Sequence, residues 1–204
     1  MYDGFSEVLR NTLCPFAPSA RICWGPSWDR DQTFESNIHR VAGAIEEFCS
    51  RITADTLDAL VVEVSSGPQL LDFSHACEMF AKTLESLSAL DPNRADCLTR
   101  DFYSPSWQFE FAGVRLFLSV FAPCYPPNNT RHVHENDRMY LLFQPDESFD
   151  RVLDGRDRLA VRRNIRQRFL DDGRPYRWDV IDGRIEALIY MLPTGTEPAI
   201  KWWK

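Results

Sequence analysis

Arg131, His132 and His134 lie within four residues of one another, in the segment Arg131-His132-Val133-His134. In an extended chain, residues i and i+2 point to the same side, so the two imidazoles can address one metal ion. Two ligands do not complete a zinc or non-haem iron site, and a third donor must come from elsewhere in the chain. His39 and His75 sit beside apolar stripes and read as boundary or surface residues. The six cysteines (Cys14, Cys23, Cys49, Cys77, Cys97 and Cys124) form no C-x-x-C pair, so neither a zinc ribbon nor a thioredoxin-type motif is present. Cys49 and Cys77 fall on apolar helix faces and read as small buried hydrophobes. Cys14 and Cys124 adjoin proline-containing turns, where a thiol nucleophile paired with a loop histidine stays open. Arg158, Arg162 and Arg166 recur every fourth residue. They read either as a cradle for anionic groups or, as charge runs on helices usually are, as a solvated face balanced by Asp154, Asp157, Asp171 and Asp172. No G-x-G-x-x-G, P-loop or G-x-S-x-G motif occurs.

The elements that must position these side chains are readable from periodicity. Trp107, Phe109 and Phe111 alternate with polar or small residues, the pattern of a strand with one buried face. Ala112-Gly113 is a turn, and Val114 to Phe121 is apolar enough for a strand covered on both sides. Pro123, Pro126 and Pro127 end it, because proline has no N–H for a ladder, and Asn128-Asn129-Thr130 suits a loop tip. Met139 to Phe143 is the next strand, leading into Gln144-Pro145 and then a helix start at Asp146-Glu147. The histidine loop is thus a polar segment held between apolar strands, where chemistry is expected.

Upstream, a short helix spans residues 1–13 and Arg21 to Trp24 forms a short strand. Trp24 and Trp28 are a further pair that could wall a pocket or sit half-buried in a loop. Phe34, Ile38, Val41, Ile45, Phe48 and Ile52 recur every three or four residues, which defines an amphipathic helix. Asp58 to Val64 is a buried strand, and Phe73, Cys77, Phe80, Leu84 and Leu87 mark a second long helix. Residues 157–170 form a third, Asp182-Gly183 is a hairpin turn into a strand over Ile185–Leu192, and the tail through Trp202-Trp203 docks on the domain. Helices mixed with strands joined by a short turn imply one α/β (α+β) domain over 1–204, with helices packed on a mixed, partly antiparallel sheet.

The chain of 204 residues carries a net charge of −7, which argues against nucleic acid as a partner. No apolar run reaches the roughly 18 residues of a membrane span, and MYDGFSEVLR is short and amphipathic rather than a signal sequence. The expectation is a cytoplasmic protein without a membrane partner.

Four pieces in order carry a resemblance: Cys14-Pro15-Phe16, the Ala20–Trp24 strand, the run FxPxYPPxxxRH from Phe121 to His132, and LLFQPDxSF from Leu141 to Phe149. Together they resemble the YqcI/YcgG family, some members of which are similar to haem-dependent N-oxygenases that hydroxylate guanidino nitrogens in natural-product biosynthesis, including the routes to guanitoxin and D-cycloserine. The resemblance implies haem b, dioxygen and an external reductant, with an electron donor and a small-molecule substrate as partners. It implies His132 as the iron ligand and His134 as the second choice. Arg131 would bind a propionate or a substrate carboxylate; Tyr125, Trp107 and Phe143 would wall the pocket; and Gln144 would hydrogen-bond a ligand or end its strand. Where some relatives carry a histidine in the proline loop, this chain has Asn128-Asn129. A guanidinium substrate would want a carboxylate, for which Glu110, Asp137, Asp146 and Glu147 are candidates. The implied activity is oxygenation of a nitrogen in an arginine-like or other amino-acid-derived substrate. The alternatives are a haem-binding or sensing protein without turnover and a metal-free small-molecule binding protein. Trp202 and Trp203 would suit a homodimer contact.

Overall fold

The apolar stripe from Phe34 to Ile52 forms helix α2 (Phe34–Asp55), and the stripe from Phe73 to Leu87 forms α3 (Phe73–Ala89). Both start on side-chain caps: Thr33 Oγ1 accepts the Ser36 N–H at 3.1 Å, and Asp72 Oδ1 accepts the His75 N–H at 2.7 Å. α2 ends where Thr56 turns left-handed, at φ 51°. Ile38, Val41, Ile45, Phe48 and Ile52 of α2 and Phe80, Leu84 and Leu87 of α3 are buried, each contributing about 1.5–3 kcal/mol.

This is a computed structural model, and it describes residues 2–153, 155–174, 185–195 and 197–204. Among the described residues five strands, β1 (Ile22–Trp24), β2 (Ala59–Ser65), β3 (Phe109–Phe111), β4 (Val114–Phe121) and β5 (Arg138–Pro145), make one sheet in the order β1-β2-β5-β4-β3. β1 runs parallel to β2, and every other pair is antiparallel. Among the described residues the remaining α-helices are α1 (Asp3–Asn11), α4 (Asp146–Val152), α5 (Arg158–Asp171) and the short α6 (Ala187–Tyr190). This is an α+β fold, as the mixed pattern implies.

The β3–β4 turn follows its sequence. Ala112 and Gly113 both take positive φ, 50° and 77°, the combination that matches the twist of a tight hairpin. The Ala112 N–H is held by Asp91 Oδ1 at 2.7 Å, and a Cβ on Gly113 would stand 2.7 Å from Asn93 Nδ2.

Alternation splits the sheet into two unlike faces. Leu60, Val62, Val64, Leu118, Leu141 and Phe143 point into a core shared with α2, α3 and the C-terminal segment. Ala59, Ser119, Phe121, Leu142 and Gln144 point the other way, toward α1, α4 and α5, where the packing leaves a hollow.

The C-terminal segment corrects one expectation. Ala187–Tyr190 is a helical turn rather than part of a strand over Ile185–Leu192. The Phe109 N–H is already taken by the Tyr190 hydroxyl, at 3.2 Å, and that hydroxyl also reaches Glu186 Oε1 at 2.7 Å. The expected Asp182-Gly183 turn lies outside the described residues. The tail docks as read: Trp202 is 5% exposed, donates Nε1–H to Ala187 O at 2.7 Å, and stacks on Tyr190. Trp203 stacks on Phe102 at 4.7 Å. Trp202 is therefore an internal core residue, not a surface available to a second copy.

Candidate functional site

The hollow is a chamber of about 530 Å³, within the range of cofactor and ligand sites. Its floor is the chamber-side row of the sheet, with Ser119 and Phe121 from β4 and Leu142 and Gln144 from β5. Its roof is the apolar side of α1, with Phe5, Val8 and Leu9. Its walls are the Cys14–Ile22 segment, α4 and α5. α1 is pinned over the sheet by the Tyr2 hydroxyl, which reaches the Gly25 and Pro26 carbonyls at 2.7 and 2.8 Å. Gly4 lets it lie close, since a Cβ there would overlap the Glu135 carboxylate.

Among the described residues the lining is apolar but carries four guanidinium groups, Arg21, Arg131, Arg151 and Arg162, beside the Asp58 carboxylate. Asp58 is saturated from within. Its Oδ2 accepts the Arg21 N–H at 2.8 Å, and Oδ1 takes Ser148 at 2.9 Å and Arg151 at 2.5 Å. Burial opposes its ionisation, yet the Arg21 N–H, Arg151 and Ser148 hold its pKa below the ordinary value. Arg21 and Arg151 also bind backbone carbonyls at the end of α2: Asp55 for Arg21, and Thr56 and Leu57 for Arg151. These two arginines build the wall. Arg131 is 7% exposed and lies over the Phe121 ring at 4.9 Å, while Arg162 projects from the exposed side of α5.

His132 and His134 lie next door. They line a crevice of about 70 Å³ that shares Val8, Thr12 and Thr130 with the chamber. The proline loop sets their geometry: Asn129 Oδ1 accepts the Arg131 N–H at 2.8 Å, and Ala122 N–H donates to Arg131 O at 3.0 Å. His132 Nδ1 meets the Tyr125 carbonyl at 2.6 Å, so that nitrogen carries the proton. Its Nε2 lies 3.3 Å from His134 Nδ1, and His134 Nε2 lies 3.4 Å from Glu7 Oε1. The i, i+2 spacing does bring the rings together, with centroids 4.7 Å apart. Among the described residues no group of three side chains is arranged to hold a metal ion.

Of the residues the resemblance assigns to a cofactor, Arg131 and Gln144 line the chamber. Trp107, Tyr125 and Phe143 do not: all three belong to the core on the opposite face of the sheet. The reason is parity and hydrogen bonding. Phe143 is one residue from Gln144 and so points away from it, Trp107 Nε1 bonds Cys97 O at 2.8 Å, and the Tyr125 hydroxyl accepts the Leu192 N–H at 3.1 Å. The proposed substrate carboxylates are also elsewhere. Glu110 pairs with Arg100, Asp137 with Arg30 and Arg138, Asp146 with Arg115 and Gln108, and Glu147 accepts from Thr53. Cys14 lines the chamber. Cys49, Cys77 and Cys124 are half-buried thiols, each pushed up to about 12 by burial, which suits inert packing rather than nucleophilic chemistry. Sequence reading did not find the Asp58–Arg21–Arg151 clamp or the α1 roof, and no local motif marks either.

The fold and chamber define an α+β protein with a ligand-sized, arginine-lined cavity between its sheet and an outer layer of short helices. The chain belongs to the YqcI/YcgG family, whose description matches residues 27–180. That span contains the floor strands, α4 and α5, and begins after α1 and Cys14-Pro15-Phe16. Comparison with curated proteins and with solved structures finds no match. Among the described residues no helix is long and apolar enough to cross a membrane.

Proposed function

We propose that the chamber holds haem and that the chain is a haem-dependent oxygenase acting on a nitrogen of an amino-acid-derived substrate. The observation supporting this is the chamber itself, whose size and apolar walls suit a porphyrin and whose arginines suit its propionates. When bound, the iron would supply reductive activation of dioxygen, with electrons from an external donor. Arg131 and Arg162 would hold carboxylates, and Gln144 and Ser119 would orient a polar group from the floor. Phe5, Leu9 and Phe121 would exclude water. Iron would be held either by the Cys14 thiol, which lines the chamber wall, or by His132, which lines the neighbouring crevice and whose Nε2 would have to release His134. The absence of histidine from the chamber lining favours a second reading, a metal-free binder of small molecules.

An absorption spectrum after expression with a haem precursor tests the proposal. A Soret band is expected, and a colourless protein would overturn the haem reading. Loss of the band in Cys14→Ser with retention in His132→Ala assigns the thiolate, and the converse assigns the imidazole. Product formation with a reductant and arginine-like substrates separates an oxygenase from a haem sensor.

A further inference from the structure

The two loop histidines make a contact that the chamber does not explain. Val133 is 1% exposed and turns into the fold, so His132 and His134 on either side of it project together. The segment is held in place: the His132 N–H donates to Asn129 O at 3.1 Å, and the Ala122 N–H to Arg131 O at 3.0 Å. Each ring has one nitrogen engaged away from the other ring. The Tyr125 carbonyl, 2.6 Å from His132 Nδ1, keeps the proton there and leaves Nε2 with its lone pair. The Glu7 carboxylate, 3.4 Å from His134 Nε2, draws the proton to that nitrogen and leaves Nδ1 with its lone pair. These two lone-pair nitrogens are the ones that face each other, 3.3 Å apart. Two acceptors at that distance repel unless a cation stands between them.

The spacing and the partners fit a metal ion. With bonds of about 2.0–2.1 Å, nitrogens 3.3 Å apart subtend about 105–110° at a shared zinc ion, close to the tetrahedral angle. A carbonyl on one outer nitrogen and a carboxylate on the other is the arrangement that orients metal-binding imidazoles. Among the described residues no third His, Cys, Asp or Glu joins them. The crevice of about 70 Å³ beside the pair is lined by Thr12, Asn129 and Thr130 and has room for the water molecules that complete the coordination.

We infer that His132 Nε2 and His134 Nδ1 form an open, water-completed site for a divalent first-row cation of the zinc type. Glu7 stands behind His134 as its orienting carboxylate, so the ion links the proline loop to α1. The inference does not rest on haem, and it narrows the haem proposal: with His132 committed to the pair, Cys14 is left as the donor to iron.

Titration of the chelator-treated full chain with Zn²⁺ by calorimetry and with Co²⁺ by absorption tests this. One ion per chain is expected, with a micromolar Kd and without the sulfur-to-metal charge-transfer band that binding to a cysteine would give. His132→Ala and His134→Ala are each expected to weaken Zn²⁺ at least about tenfold, and Glu7→Gln about tenfold, the scale of a lost orienting carboxylate. The His134 ring is exposed, so its removal does not put the fold at risk. His39→Ala, an exposed histidine on α2, should leave the affinity unchanged. A chain that binds no Zn²⁺ would mean that the two rings share a proton alone, and would overturn the inference. Unchanged Zn²⁺ affinity in both loop variants would also overturn it. Haemin is expected to leave Zn²⁺ affinity unchanged. Haemin that displaces Zn²⁺, with a Soret band lost in His132→Ala, would overturn the inference while leaving the haem proposal intact. Zn²⁺ binding at the pair in a chain that never shows a Soret band would do the reverse.

Discussion

The two faces of the sheet are built from the same strands and serve opposite ends. On the α2/α3 face the hydrocarbon closes completely: Phe80, Leu84, Leu118, Leu141 and Phe143 have no exposed surface, and Tyr190, Trp202, Trp107 and Phe102 fit edge and face among them. On the α1/α4/α5 face Phe5 of α1 closes on Phe121 and Tyr140, but beside that contact the short helices leave room. Long amphipathic helices can interdigitate with a sheet along several turns. Helices of 9 and 7 residues, such as α1 and α4, present too few side chains to fill the same area. The filled face carries the stability, and the hollow face can hold a guest because little of the fold depends on its being filled.

Substitutions should separate the faces. The largest effect is expected for Phe80→Ala in the filled core, about 3–5 kcal/mol by urea unfolding, whereas Leu9→Ala on the chamber roof should cost about 1 kcal/mol, since it enlarges a space that already exists. Similar losses at the two sites would dissolve the distinction. Next comes the wall. Asp58→Asn should remove roughly 2–3 kcal/mol of charge-assisted bonding to the Arg21 N–H, Ser148 and Arg151. The contribution of Asp58 is complete above its ordinary value of 3.8 and goes as pH falls through its lowered folded value, so the variant should flatten the acid limb of the pH–stability curve.

On the filled face one carboxyl behaves in the opposite sense. Burial, with Asp146 adding to it, raises Glu186 from 4.5 to about 7. The stabilisation this represents is full below 4.5 and is lost as pH rises through about 7. Glu186→Gln should therefore remove a decline of about 2 kcal/mol between mildly acidic and mildly alkaline pH, as read by melting temperature across a pH series. The smallest effect belongs to His134→Ala. Its ring is 62% exposed and its partner Glu7 39%, so the change should cost about 0.5 kcal/mol or less in the same assay.

Sequence periodicity carried the framework well. The stripes of α2 and α3, the alternation around Phe109 and the Ala112-Gly113 turn each follow from local rules, and each is where those rules place it. The site was legible only in part, because alternation says that a strand has two faces without saying which one is filled. Phe143 and Gln144 are neighbours; the aromatic residue, the more obvious pocket wall, went into the core and the amide went to the chamber. Asp58, Arg21 and Arg151 are far apart in the chain and meet only through the β1–β2 pairing and the return of α4, which no spacing encodes. The reading of Ile185–Leu192 as a strand failed for a similar reason: apolar residues there answer to Phe80, Trp107 and Trp202 rather than to a neighbouring strand.

The placement of α1 has a consequence for how the molecule is made. Phe5, Val8 and Leu9 leave the ribosome well before Phe121 and Leu142, which they must cover and which are among the later parts of the sheet to be synthesised. Until β5 slots between β2 and β4, that helix has only the β1–β2 edge, with Trp24 and Val61, to rest on. It is then a natural handle for a chaperone, and its settling would be a late event of folding.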